Sequence, residues 1–154
     1  MRDLVNGWLR ELGQGIGQSL GLDDNNLCSL QYDEDLEINV ELHADGPWLY
    51  LHAPVARVAQ MESAAFFKQL LKINLFGLQT DGATLGYDER TDHIAISDRV
   101  APATLDGLTF LQWIESFVMT TVRIRGDIMQ EMTAANAAAG GAGIEQPGDG
   151  MMRV

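Results

Sequence analysis

The chain has 154 residues, with 10 Lys and Arg against 22 Asp and Glu and a formal net charge of −12. That length holds one domain, or at most two very small ones, and a 46% hydrophobic share supplies a core and excludes wholesale disorder. The acidity argues against nucleic acid and against an anionic membrane surface, both of which are bound through clustered Lys and Arg. A single cysteine, Cys28, allows no internal disulfide. The opening residues Met1–Trp8 do not continue into a signal-peptide core. No apolar run approaches the roughly 18 residues that a membrane span needs. A reducing cytoplasm is the expected compartment, with Cys28 a buried structural thiol.

The first predicted element is a helix. Leu4, Trp8, Leu12 and Ile16 recur every four residues, Asp3 stands at the N-cap position and Gly21 at the stop. Glycines at 7, 13, 15 and 17 weaken it, each by about 1 kcal/mol relative to Ala. Three strands follow. Leu27–Tyr32 leads through the acidic turn Asp33-Glu34-Asp35 into Leu36–Leu42, where apolar and polar residues alternate. Asp45-Gly46-Pro47 turns the chain into Trp48–His52, which Pro54 is expected to end. A second helix is predicted over Met61–Phe76, with exit at Gly77. Ala83–Tyr87 and His93–Ser97 then read as a hairpin. A long helix over Thr104–Thr133, capped by Thr104, carries a stripe wide enough to ask for more than one neighbour. From Ala134 the composition turns to Ala and Gly, so residues 1–133 are expected to form the domain and 134–154 a disordered tail. The three tryptophans, Trp8, Trp48 and Trp113, lie on separate elements; Trp8, on the weakened helix, is expected to be partly exposed.

Residues suited to chemistry do not assemble into a site. Gly13-Gln14-Gly15-Ile16-Gly17 lies in a helix, lacks the third glycine of a dinucleotide loop and has no Gly-Lys-Ser/Thr. Asp23-Asp24-Asn25-Asn26 with Glu34 imitates a calcium loop, but Leu27 and Cys28 stand where an oxygen ligand and a glycine belong. His43, His52 and His93 lack zinc spacing. Asp92, His93, Ser97 and Asp98 share one strand and its turn, so their side chains alternate between faces. No catalytic residue, metal or cofactor is expected.

The predicted order, α-βββ-α-ββ-α, describes an α+β protein with an antiparallel twisted sheet of about five strands and three helices. Three stretches narrow this further: Leu20–Leu30, the alternating strand Leu36–Leu42, and Leu70-Leu71-Lys72-Ile73-Asn74-Leu75-Phe76 followed by Thr80–Asp88. With the small size and acidity, they resemble the class I chaperones of bacterial type III secretion, the Tir chaperone-like family, over roughly Leu4–Met132. The resemblance implies a cytoplasmic homodimer that needs no ATP and no metal. It would bind a non-globular N-terminal segment of one or more secreted effectors, hold it extended and present it to the secretion apparatus, often to its ATPase.

An extended cargo can add a strand to a sheet edge while its apolar side chains fill pockets. By the resemblance, cargo pockets lie between the first helix and the sheet, at Leu4, Trp8, Leu12, Leu30, Ile38 and Val40. The same residues also fit plain core, since alternation alone does not say which apolar face is covered. The implied dimer contact uses the second helix and the next strand, at Phe67, Leu71, Ile73, Phe76, Leu85 and Tyr87. Within the resemblance the alternative role is a regulator that binds other secretion or regulatory proteins. Outside it stand an adaptor subunit and a small enzyme using His93 with Asp92 or Asp98.

Overall fold

The computed structural model describes residues 1–58 and 63–141. In chain order these form α1 (Arg2–Ile16), β1 (Leu27–Gln31), β2 (Glu37–Leu42), β3 (Leu49–Arg57), α2 (Ala64–Ile73), β4 (Thr84–Asp88), β5 (His93–Val100) and α3 (Gly107–Gly141). Short 3-10 turns at Leu75–Gly77 and Pro102–Thr104 precede β4 and α3. The five strands make one antiparallel sheet in the order β1-β2-β3-β5-β4. The expected α+β architecture is therefore the observed one.

One sheet face is apolar and buried. Cys28 and Leu30 of β1, Ile38 and Val40 of β2, Leu49 and Leu51 of β3, and Ile94 and Ile96 of β5 point into it. α3 meets them with Phe110, Ile114, Phe117, Ile124 and Ile128, and α1 adds Val5, Trp8 and Leu9. As its wide stripe asks, α3 has more than one neighbour, β3 of the sheet and α1, while Leu108, Met119, Val122 and Met129 remain exposed. The opposite sheet face carries Ser29, Asn39, His52, Ser97 and Thr84, one from each strand in register, and is polar.

Element ends differ from the sequence expectations for local reasons. α1 starts after Met1 with no side-chain cap, which leaves Asp3 in the first turn. It stops at Gly17, not Gly21, because Gly17 takes the left-handed conformation (φ 71°). The amides of Gly17 and Gln18 both bond the Gly13 carbonyl. That reversal brings the Gln18 carbonyl so close to Gly13 that a Cβ there would meet it at 2.3 Å, which requires the glycine. Trp8 is 7% exposed and stacks on Phe110 with ring centroids 5.1 Å apart, so it is core and not the exposed tryptophan anticipated. A stacked aromatic pair adds about 1 kcal/mol to the area it buries, and this one ties α1 to α3.

Pro54 does not end β3. The β2–β3 ladder stops at Asn39↔His52, and the next residue due to bond β2 is Pro54, which has no N–H. On its other side β3 continues along β5 as far as Arg57↔His93, with a bulge between Pro54 and Ala56. The proline thus ends a ladder, not a strand. α2 is capped by Ser63, which accepts from the Phe66 amide, and finishes at Ile73, so Phe76 lies outside it; Met61 lies outside the described residues. α3 is capped by Asp106, not Thr104. Asp106 Oδ1 accepts from the Thr109 amide (2.8 Å) and Thr109 Oγ1 from the Asp106 amide (2.9 Å), a reciprocal box. The helix runs past the expected end at Thr133 to Gly141 through alanines, the best helix formers. The rest of the expected tail, 142–154, lies outside the described residues.

Candidate functional site

The surface around α2 and β4 is built first by Asn74. Its side-chain oxygen accepts from the Leu85 amide at 2.9 Å and its amide nitrogen donates to the Leu85 carbonyl at 3.3 Å. This imitates a neighbouring strand at one position and fastens the end of α2 to the outer edge of β4. The loop between them is held by Thr80, fully buried with its hydroxyl on the Ala83 carbonyl, and by Asp81. Asp81 accepts from the Thr120 hydroxyl at 2.7 Å and from Arg123 at 2.9 Å. The Thr120 hydrogen bond, with Arg123 beside it, holds the Asp81 carboxyl below the usual carboxylate range.

This frame presents apolar side chains to water. Phe76 is 85% exposed, and Leu71, Leu75, Leu78 and Tyr87 are exposed as well. Phe76 also has left-handed backbone (φ 58°, ψ 11°), which costs a non-glycine residue about 1–2 kcal/mol. A strained, bare aromatic is stable only when the fold around it holds it there. A shallow apolar groove of about 210 Å³ opens between Phe67, Leu71, Leu85 and Tyr87. Of the six dimer residues implied by the resemblance, Phe67, Leu71, Leu85 and Tyr87 line this groove, Phe76 is exposed on the turn after α2, and Ile73 is buried. Leu75 and Leu78, exposed apolar residues on both sides of a glycine turn past the end of a helix, are not among the residues that the resemblance implies.

The six residues assigned to cargo pockets divide differently. Leu4 is exposed and Leu12 half-buried on α1, whereas Trp8, Leu30, Ile38 and Val40 are core. α1 is anchored to the chain entering β1: Arg2 donates to the side chain of Asn26 and to the carbonyls of Leu22 and Asp23, and Asn6 accepts from the Leu22 amide. Cys28 is buried under this segment, and burial pushes its thiol up.

The first edge strand, β1, is capped at one end only. Asp23 accepts from the Leu27 amide through its side chain (2.9 Å) and donates its own amide to the Leu27 carbonyl (2.8 Å). The Leu27 hydrogen bond is the main reason that the Asp23 carboxyl lies below its ordinary range. Asn26 and Tyr32 bond across to Leu42 and Leu36. By alternation, the backbone groups of Ser29 and Gln31 point away from β2.

The residues considered for chemistry stay apart. Asp23 and Glu34 lie beyond opposite ends of β1. His93 Nδ1 is 2.6 Å from the Thr91 carbonyl, Ser97 lies on the polar sheet face, and Asp98 turns to the other face, where it accepts from the Trp113 indole at 2.7 Å. His43 Nδ1 accepts from the Asp45 amide, and His52 Nε2 lies 3.4 Å from Glu41 without hydrogen-bond geometry. Among the described residues no three His, Cys, Asp or Glu side chains group to hold a metal, and no helix is long and apolar enough to cross a membrane.

Residues 7–125 match the Tir chaperone protein (CesT) family. No curated protein matches the sequence. Among solved structures, the chain is similar to one in the ExsC–ExsE complex, at 26% identity and a TM-score of 0.69, covering 79% of this chain and 90% of that one. A chain of the HopA1–SchA chaperone–effector complex is similar at 17% identity and a TM-score of 0.66, over 80% of this chain and 94% of that one. A chain of the heterodimeric ExoU–SpcU complex, from the type III secretion system of Pseudomonas aeruginosa, is similar at 17% identity and a TM-score of 0.57, over 79% and 95%. The last two likenesses are of fold.

Proposed function

The chain belongs to the Tir chaperone protein family, and from that premise we propose that it is a cytoplasmic type III secretion chaperone. It binds the non-globular N-terminal segment of one or more effectors, keeps that segment extended and delivers it to the secretion apparatus. The observation that carries this reading is the family match across residues 7–125, which takes in both surfaces described above apart from Leu4. One chain of the HopA1–SchA chaperone–effector complex has the same fold.

In this reading the protein works as a homodimer joined through Phe67, Leu71, Phe76 and Tyr87, with Ile73 and Leu85 supporting them from below. Burying one Phe or Leu side chain contributes about 1.5–3 kcal/mol. Covering Phe76 and Leu71 in a partner's groove therefore offsets the strain at Phe76 several times over. Cargo side chains contact Leu4 and Leu12 on α1, with Trp8, Leu30, Ile38 and Val40 forming the wall behind them. The net charge of −12 keeps a complex holding an unfolded client in solution.

The test is co-expression with candidate effectors, followed by size exclusion with light scattering and limited proteolysis. The expected species is a dimer of about twice 16.9 kDa that shields an extended effector segment from protease. A monomer that protects no unfolded segment would overturn the reading.

A further inference from the structure

The side of α3 turned away from the core is exposed and largely apolar. Phe117, Ile124 and Ile128 are buried, while Met119, Val122, Gly126, Met129 and Thr133 all face water. Their spacing of three, four, three and four is the one by which a helix meets another helix. This seam continues past residue 125, so its second half lies outside the region matched to the family.

Gly126 sits at the centre of the seam, and the described residues give no reason for a glycine there. Its φ is not left-handed, and a Cβ built on it meets no atom within 4 Å. A glycine inside a helix costs stability relative to alanine. What it permits is the close approach of a second backbone, with Val122 and Met129 closing over the gap from either side.

The charges beside the seam say which backbone. Arg123 and Asp127 lie one turn apart on the same flank, on either side of Gly126 in sequence, and both are exposed. When two copies of this helix run antiparallel, Arg123 of each lies opposite Asp127 of the other. When they run parallel, like charge meets like. Arg123 also donates to Asp81 of its own protomer at 2.9 Å, which steadies the guanidinium and leaves further donors for a second carboxylate.

We propose that α3 is a self-association surface, on which a second copy of this chain packs antiparallel along residues 119–133 and crosses at Gly126. This goes beyond the chaperone reading and does not rest on it. Where α2 and β4 already join protomers in pairs, the α3 contact joins two pairs into an assembly of four chains. The contact is isologous, so it closes on itself and does not build fibres. It is also weak. Fifteen helical residues span about 22 Å, and a patch of that length buries on the order of a few hundred Å² per copy, less than stable complexes bury. The net charge of −12 opposes it further. The assembly therefore forms as the chain becomes concentrated.

Sedimentation velocity on the full chain, from micromolar to near-millimolar concentration, should show the dilute species doubling in mass. Gly126→Leu fills the crossing point from the open side of the helix. It should move the doubling to at least tenfold higher concentration, while the thermal melt of the dilute protein does not fall. Asp127→Lys should weaken the doubling at least threefold, although it lowers the net negative charge. Gly126→Cys should give a disulfide-linked pair on mild oxidation, since Cys28 is buried. Glu115→Cys, three turns earlier on the same side, should not, because antiparallel packing sets its two copies about 33 Å apart. No doubling, a Gly126→Leu chain that doubles like the parent, tighter association of Asp127→Lys, or linking through Glu115→Cys would each overturn the proposal. Loss of effector capture by Gly126→Leu would also overturn it, giving this face to cargo and leaving the chaperone reading in place. A parent chain that doubles as expected but captures no effector would support the proposal and overturn the chaperone reading alone.

Discussion

The β1 and β4 edges pose the same physical problem and receive opposite solutions. Each ends a sheet and carries unpaired backbone groups, a liability that proteins usually cover or disfigure. At β4 a single side chain, Asn74, covers the backbone of Leu85, and the surface nearby turns apolar, with Phe76 held bare in a strained conformation. At β1 the backbone of Ser29 and Gln31 stays open and the surroundings turn acidic. An edge closed to backbone pairing but rich in apolar side chains suits a packed interface with a folded copy. An edge open to pairing suits an extended chain that has little else to offer.

Breaking the β4 closure should give the largest effect. Asn74→Leu keeps the volume but leaves the Leu85 N–H and C=O unbonded, so it should destabilise the protein by about 2–3 kcal/mol, read as a lower urea midpoint at unchanged slope. Amide exchange at Leu85 should speed up with it. An unchanged midpoint would show that Asn74 does not hold this edge.

Phe76→Gly separates strain from contact. Glycine accepts the left-handed backbone freely, so the isolated protomer should gain about 1 kcal/mol. Self-association should nevertheless weaken tenfold or more, equivalent to about 1.4 kcal/mol, as followed by light scattering across a dilution series. A variant that dimerises as well as the parent would remove Phe76 from the interface.

At β1 the comparable change is smaller, because less is bonded there. Asp23→Ala frees the Leu27 amide and should cost about 1 kcal/mol, near the value of a lost cap. It also lengthens the open edge by one residue, so Leu27 exchange should quicken while Leu85 exchange does not change. The smallest effect is on pH. The folded carboxyls of Asp23 and Asp81 lie below the ordinary value of 3.8. Their contribution is complete above that value and is lost as pH falls through the lower folded values. Urea midpoints should therefore hold constant down to about pH 4 and decline below it, and the decline should be shallower in Asp23→Ala.

Much of the frame could be read from the chain. The alternation of Leu36–Leu42 becomes β2, with Ile38, Val40 and Leu42 buried and Glu37 and Glu41 exposed. The asparagine after the leucine-rich helix was visible as part of the resemblance, but not as a clamp, because its partner lies eleven positions downstream. Trp8 reads as exposed in the sequence because glycine content reports helix propensity, whereas its burial depends on Phe110, about a hundred positions away. Pro54 reads as a stop in the sequence because the sequence does not show on which side of a strand a ladder has already ended.

Local order, the sheet's polar and apolar faces and the charge are properties of neighbouring residues, and the sequence by itself determined them. Hydrophobic period sets which residues turn inward, and composition sets the sign of the surface field. Only the tertiary structure decided which strands lie at the edges and how each edge is closed. Strand order, and the approach of Asn74 to Leu85, arise from pairings between distant segments, which no local pattern encodes. The same acidic, single-cysteine chain with a different strand order would expose another backbone, and with it another partner.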